Sequence, residues 1–244
     1  MHYKFEEGEV LLVNKPLTWT SFDVINRFRF FLKKQLGIKK IKVGHAGTLD
    51  PLADGLLIIC TGKSTKRIDE FQGQEKEYTG TFRLGATTPS FDLEKEIDQE
   101  YETRHITDKM ILDAAAALTG EIQQIPPVYS AIKIGGKRAY NYARNEKEVK
   151  LEARSVHIRK FEITRIAMPD VDFRISCSKG TYIRSIARDF GELLQSGAHL
   201  IALRRTRIGE FLLTDAHNLD ELMADLTALA EQENSGNETL ETKV

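Results

Sequence analysis

His45 and Asp50 stand five residues apart in the stretch Gly44-His45-Ala46-Gly47-Thr48-Leu49-Asp50-Pro51-Leu52-Ala53-Asp54-Gly55. Its glycines allow sharp turns and close backbone approach to a ligand, and Pro51 restricts the chain after the carboxylate. A carboxylate held in such a turn can act as a nucleophile or a base, although glycine-rich turns also serve purely structural ends. Two more places carry reactive types. Tyr78 opens an alternating segment, and Cys177-Ser178-Lys179-Gly180-Thr181-Tyr182-Ile183-Arg184 brings a tyrosine and an arginine to the start of a helix-like run. The plain reading of both tyrosines is packing, and that of Arg184 a surface charge. The sharper reading has Arg184 keep a carboxylate ionised in a water-poor pocket, since a nearby cation lowers a carboxylate pKa by about 1–3 units.

Other chemistries lack their signatures. Gly62-Lys63-Ser64 resembles the end of a phosphate loop, but G-x-x-x-x-G-K-[ST] needs glycine at position 57, which is Leu57 in an apolar run. The six histidines are scattered, with no His-x-x-x-His and no Cys-x-x-Cys, so neither a metal nor a cofactor is expected. Cys60 and Cys177 lie in apolar runs and read as buried free thiols in a reducing cytoplasm. No apolar run approaches the roughly 18 residues of a membrane span, and the first residues do not form a signal peptide.

Net charge is −1, which by itself argues weakly against a polyanionic partner, but the charge is segregated. Val24 to Gly44 holds seven basic residues (Arg27, Arg29, Lys33, Lys34, Lys39, Lys40 and Lys42) and no acid. Lys133 to Arg165 and Arg174 to Arg207 are also strongly basic, whereas Glu210 to Val244 has nine acids against one lysine. Three basic blocks point to a phosphate-rich partner.

The elements that position these residues follow from periodicity. Glu9 to Asn14 reads as a strand. Thr20 or Ser21 caps a helix with Val24, Ile25, Phe28, Phe31 and Leu32 on one face. The Gly44 to Gly55 stretch reads as a loop before a buried strand from Leu56 to Thr61, and Gly62 to Lys66 starts a short helix. Lys76 to Leu84 alternates like a strand, and Thr107 to Leu118 is a capped helix stopped by Gly120. Val128 to Ile134, a turn at Gly135-Gly136 and a helical Arg138 to Arg144 follow. Val156 to Ile166 and Val171 to Cys177 form a hairpin with a bulge near Arg159-Lys160. A helix over Thr181 to Leu194, a strand over Leu200 to Phe211 and a helix over Asn218 to Leu229 close the fold. Strands and helices mix without βαβ alternation, so the class is α+β with a mixed or antiparallel sheet. One domain is expected over residues 1–230, and the acidic 231–244 reads as a disordered tail.

At this point the chain resembles a known family. Gly44 to Ala53 is similar to the catalytic motif of the TruB family, the tRNA pseudouridine-55 synthases. Leu12-Val13-Asn14-Lys15-Pro16, Lys76-Glu77-Tyr78, Pro126 to Lys133 with Gly136 to Arg138 and Tyr140 to Arg144, Cys177 to Arg184, and Gly197 to Arg205 resemble its further blocks, in family order. The resemblance implies a pseudouridine synthase fold, with a largely antiparallel mixed sheet flanked by helices. It implies isomerisation of a T-loop uridine of tRNA, without metal or nucleotide cofactor, by a monomer. Asp50 would be the catalytic carboxylate, attacking C1′ or the base or removing the 2′ proton. Tyr78 would stack on the flipped uracil, Arg184 would pair with Asp50, Tyr182 and Leu203 would line the base pocket, and His45 would fill the space the base leaves. Lys15, Lys63, Lys133, Arg138, Arg144, Arg204 and Arg205 would be phosphate contacts. Only 33 residues follow Phe211, too few for the PUA module of many relatives, so a short form is expected. An RNA-guided or ribosomal-RNA synthase and a tRNA-folding chaperone are the alternatives.

Overall fold

The computed structural model describes residues 3–129, 133–134, 137–138 and 151–241, the stretches 133–134, 137–138 and 232–241 as backbone only. In chain order its strands and α-helices are β1 (Val10–Lys15), α1 (Ser21–Lys34), β2 (Val43–Ala46), β3 (Ala53–Thr61), α2 (Ile68–Gly73), β4 (Lys76–Leu84), β5 (Ala86–Thr87), β6 (Gln99–Glu100), α3 (Asp108–Ala117), β7 (Gly120–Gln124), β8 (Lys133–Ile134), β9 (Lys137–Arg138), β10 (Arg154–Ala167), β11 (Asp170–Cys177), α4 (Ile183–Leu193), β12 (Ala198–Ile208), β13 (Phe211–Leu212), β14 (His217–Asn218) and α5 (Leu219–Glu241). They divide between two compact units, Met1–Gln74 with Arg205–Val244, and Glu75–Arg204. The region expected to be one domain thus contains two such units.

In the first unit β1 pairs antiparallel with β3, from Val10 opposite Cys60 to Lys15 opposite Gly55, and parallel with β14. Both pairing senses occur, so the fold is α+β with a mixed, largely antiparallel sheet. Thr20 caps α1: its side chain accepts from the Asp23 N–H, and the Asp23 carboxylate accepts from the Thr20 N–H. The predicted apolar face of α1 is buried against Leu11, Val13, Leu57 and Ile59 of the strands and Leu219, Leu222, Met223 and Leu226 of α5. Helix α5 runs to Glu241, past the point at which composition predicts the chain to lose structure.

In the second unit β4, β11, β10 and β7 pair antiparallel in that order. Phe82 stacks on Phe173 with centroids 4.2 Å apart, and Phe161 and Phe190 complete the aromatic core. The β10–β11 register shifts between Ile158 and Lys160, where the bulge is expected, and again between Ile163 and Arg165. The turn at Gly135-Gly136 and the helix at Arg138 to Arg144 lie outside the described residues, apart from the backbone of Lys137 and Arg138 in β9. No helix among the described residues is long and apolar enough to cross a membrane.

Candidate active site

The stretch read as a loop is a hairpin. β2 pairs antiparallel with β3, His45 opposite Ile59 and Ala46 opposite Ile58, so His45 sits on a strand and Asp50 on the Gly47–Leu52 connection. Four residues of pairing are too few for periodicity to reveal. Outside contacts hold the connection. The Ser21 hydroxyl accepts from the Leu49 N–H at 2.8 Å and donates to the Leu49 carbonyl at 3.1 Å. The Thr18 N–H donates to the Pro51 carbonyl at 2.8 Å, and within the turn the Ala53 N–H donates to the Asp50 carbonyl at 3.1 Å. The Arg29 guanidinium donates to the Val43 carbonyl, tying α1 to β2. The Leu49 side chain is buried, while that of Asp50 is half-buried.

Beneath this turn lie two buried cations. Arg205 is 1% exposed; its Nε donates to the Leu56 carbonyl at 2.8 Å and one terminal nitrogen to the Gly47 carbonyl at 3.1 Å. Gly55 accommodates it: φ is +105°, and a Cβ there would lie 2.4 Å from the Arg205 carbonyl oxygen. Lys15 is wholly buried, with Nζ donating to the Pro16 carbonyl at 3.0 Å and to the Trp19 carbonyl. Burial pushes its pKa down to about 8, while Asp54 and Asp50 raise it and Arg205 lowers it. Burial, and then Arg205, also lower the pKa of His45, so the imidazole is neutral at pH 7. Lys15 and Arg205 were expected to meet phosphates. Instead both are enclosed among backbone carbonyls, a placement that a sequence of charges cannot show.

The second unit holds the other candidates. Arg184, the second residue of α4, is buried; its terminal nitrogens donate to the Tyr129 carbonyl at 2.9 Å and the Ser90 carbonyl at 3.2 Å. Its Nε lies 3.5 Å from the carboxylate of Asp92, itself 4% exposed. Sequence reasoning missed Asp92, which lies in a polar, acidic stretch without helical or strand periodicity. Burial of Thr88 and Ser90, and the Thr88 hydroxyl on the Asp92 carbonyl at 2.7 Å, show an ordered turn there. Tyr182 precedes α4. Its N–H donates to Gln124 Oε1 at 2.8 Å, Gln124 Nε2 donates back to its carbonyl at 3.1 Å, and Arg154 lies over its ring at 4.9 Å. Tyr78 is nearly buried on β4 opposite Ile175, and Leu203 is half-buried on β12. Lys63 and Arg204 are exposed; Arg144 and the side chains of Lys133 and Arg138 lie outside the described residues. Among the described residues no three histidine, cysteine or carboxylate side chains gather to hold a metal ion.

The first unit therefore presents a carboxylate site, an aspartate on a braced turn close to buried positive charge. The sequence profile described as TruB family pseudouridylate synthase (N terminal domain) matches residues 33–183, and that of the tRNA pseudouridylate synthase B C-terminal domain matches residues 184–242. The chain belongs to the TruB family of pseudouridylate synthases. It is 57% identical over 218 residues to the tRNA pseudouridine synthase B of Parabacteroides distasonis, spanning 89% of this chain and 93% of that one. To the protein of the same name from Chlorobaculum tepidum it is 48% identical over 229 residues, 92% and 93% of the two chains. Among solved structures it resembles a chain of a Cbf5–Nop10–Gar1 complex, with TM-score 0.68 and 28% identity over 90% of this chain and 54% of that one. A chain of an H/ACA RNP bound to a substrate RNA containing 2′-deoxyuridine is similar at TM-score 0.64 and 26% identity, over 90% and 53%. This chain thus spans about half the length of those solved relatives. Their likeness identifies the pseudouridine synthase fold.

Proposed function

We propose that this protein converts the T-loop uridine 55 of tRNA to pseudouridine, with Asp50 as the catalytic carboxylate. The observation that carries the reading is the braced, half-buried Asp50, in a chain matching over nine-tenths of the length of relatives named tRNA pseudouridine synthase B. In the reaction the N1–C1′ bond breaks, the uracil turns, and C5 bonds to C1′; the C5 hydrogen leaves as a proton and N1 gains one. An anomeric carbon losing its base becomes electron-poor, and a fixed carboxylate can trap or stabilise it, as in glycoside cleavage. The uridine must leave its stack for C1′ to be reached. Tyr78 stacks on the displaced uracil, Tyr182 and Leu203 line its pocket, and His45, neutral at pH 7, packs where the base was. Arg184 is the cation that the family resemblance pairs with Asp50; within its own unit it is held by the Tyr129 and Ser90 carbonyls, 3.5 Å from the Asp92 carboxylate.

Release of tritium from tRNA labelled at uridine C5 tests the reading. Wild type is expected to release it, and Asp50→Asn to bind the same tRNA while losing turnover by at least about a thousandfold, as for loss of a nucleophile. Normal turnover by the variant overturns the assignment. The likeness to RNP chains favours a second reading, an enzyme that needs a guide RNA. Activity of the purified chain on bare tRNA excludes it.

A further inference from the structure

Beyond the candidate residues, we propose that Ser21 is a positioning residue for Asp50, an inference that rests on the catalytic reading of Asp50. Ser21 is the first residue of α1 and 1% exposed. Serine near a helix start usually serves the helix, but here Thr20 and Asp23 already form the capping box. The Ser21 hydroxyl is thereby released for Leu49, 28 residues away. One hydroxyl can both donate and accept, and this one meets both the N–H and the carbonyl of Leu49. The Leu49 carbonyl belongs to the peptide plane that ends at the Asp50 Cα, and the tilt of that plane, together with the Asp50 φ, sets the direction of the Asp50 Cα–Cβ bond. Ser21 therefore acts on the orientation of the carboxylate.

Two further contacts complete the brace. Thr18 holds a left-handed φ of +71°, unfavourable for a β-branched residue, and its N–H reaches the Pro51 carbonyl at 2.8 Å. Arg205 holds the Gly47 carbonyl at 3.1 Å. The turn is gripped before, beside and after Asp50. Without the hydroxyl, two peptide groups lose their partner and the plane preceding Asp50 is free to tilt.

The test is single-turnover pseudouridine formation, tRNA affinity and thermal unfolding for Ser21→Ala, with Thr20→Ala and Asp50→Asn beside it. A shift of the reacting atoms by a fraction of an ångström to an ångström costs roughly ten- to a hundredfold in rate. Ser21→Ala is expected to lose that much while binding tRNA within about twofold of wild type. Thr20→Ala, which removes the cap of the same helix, is expected to stay within about threefold in rate. The proposal is overturned if Ser21→Ala turns over like wild type, if its rate and tRNA affinity fall together, or if Thr20→Ala slows the reaction as much. Should Asp50→Asn turn over normally, the catalytic reading itself falls; loss of turnover there with a fully active Ser21→Ala removes only the positioning role.

Discussion

Lys15 carries a charge that its burial opposes. Its folded pKa of about 8 lies below the ordinary 10.5, so between these values the unfolded chain binds more protons than the folded one. The cost of enclosing the ammonium is fully present below pH 8 and is relieved as pH rises toward 10.5, so this residue's contribution favours folding more at high pH. Urea unfolding of wild type and Lys15→Met at pH 7.5 and 9.5 measures it. Wild type should gain stability relative to the variant between the two values; an unchanged difference refutes the assignment. At this scale the turn that carries Asp50 was legible, because glycine and proline around a carboxylate announce a special turn. The roles of Lys15, Arg205 and Asp92 were not, because each is an ordinary charged residue until burial and partners are known.

The elements repeat that lesson at longer range. α1 and β4 follow from local patterning: one has an apolar face at helical spacing behind a capping threonine, the other alternates. Four-residue β2 and the β7 strand beginning at Gly120 did not, since each is defined by its neighbour's hydrogen bonds rather than by its own pattern. Close approach within the second unit makes one element-scale prediction. A Cβ on Gly80 would lie 2.3 Å from the Ala202 carbonyl oxygen and 2.7 Å from Phe173 Cζ, backbone on one side and the packed aromatic core on the other. Gly80→Ala should destabilise the protein by about 1–3 kcal/mol in denaturant unfolding, the range of overpacking with backbone displacement. A change below about 0.5 kcal/mol would show that the strands move apart freely.

For the whole molecule the question is how a chain of net charge −1 grips a polyanion. Segregation is the answer we propose: Lys33, Lys34, Lys39, Lys40 and Lys42 are all exposed on a stretch without an acid. Binding led by phosphate contacts releases counterions, so tRNA affinity should fall by at least about tenfold between 50 and 200 mM salt. Titration of labelled tRNA at several salt concentrations measures the slope, and a flat dependence counts against phosphate-led binding.

The sequence by itself determined the α+β class, the main helices and strands, the bulge in β10 and the motifs that carry the family resemblance. All of these rest on neighbours along the chain, where periodicity and turn chemistry act. Tertiary structure decided which groups hold the Asp50 turn and, within the second unit, which hold Arg184. Ser21 reaches Leu49 across 28 residues, Arg184 reaches Ser90 across 94, and Arg205 reaches Gly47 across 158. A buried polar group takes whichever partner the fold brings within hydrogen-bond distance, and no local pattern encodes that choice.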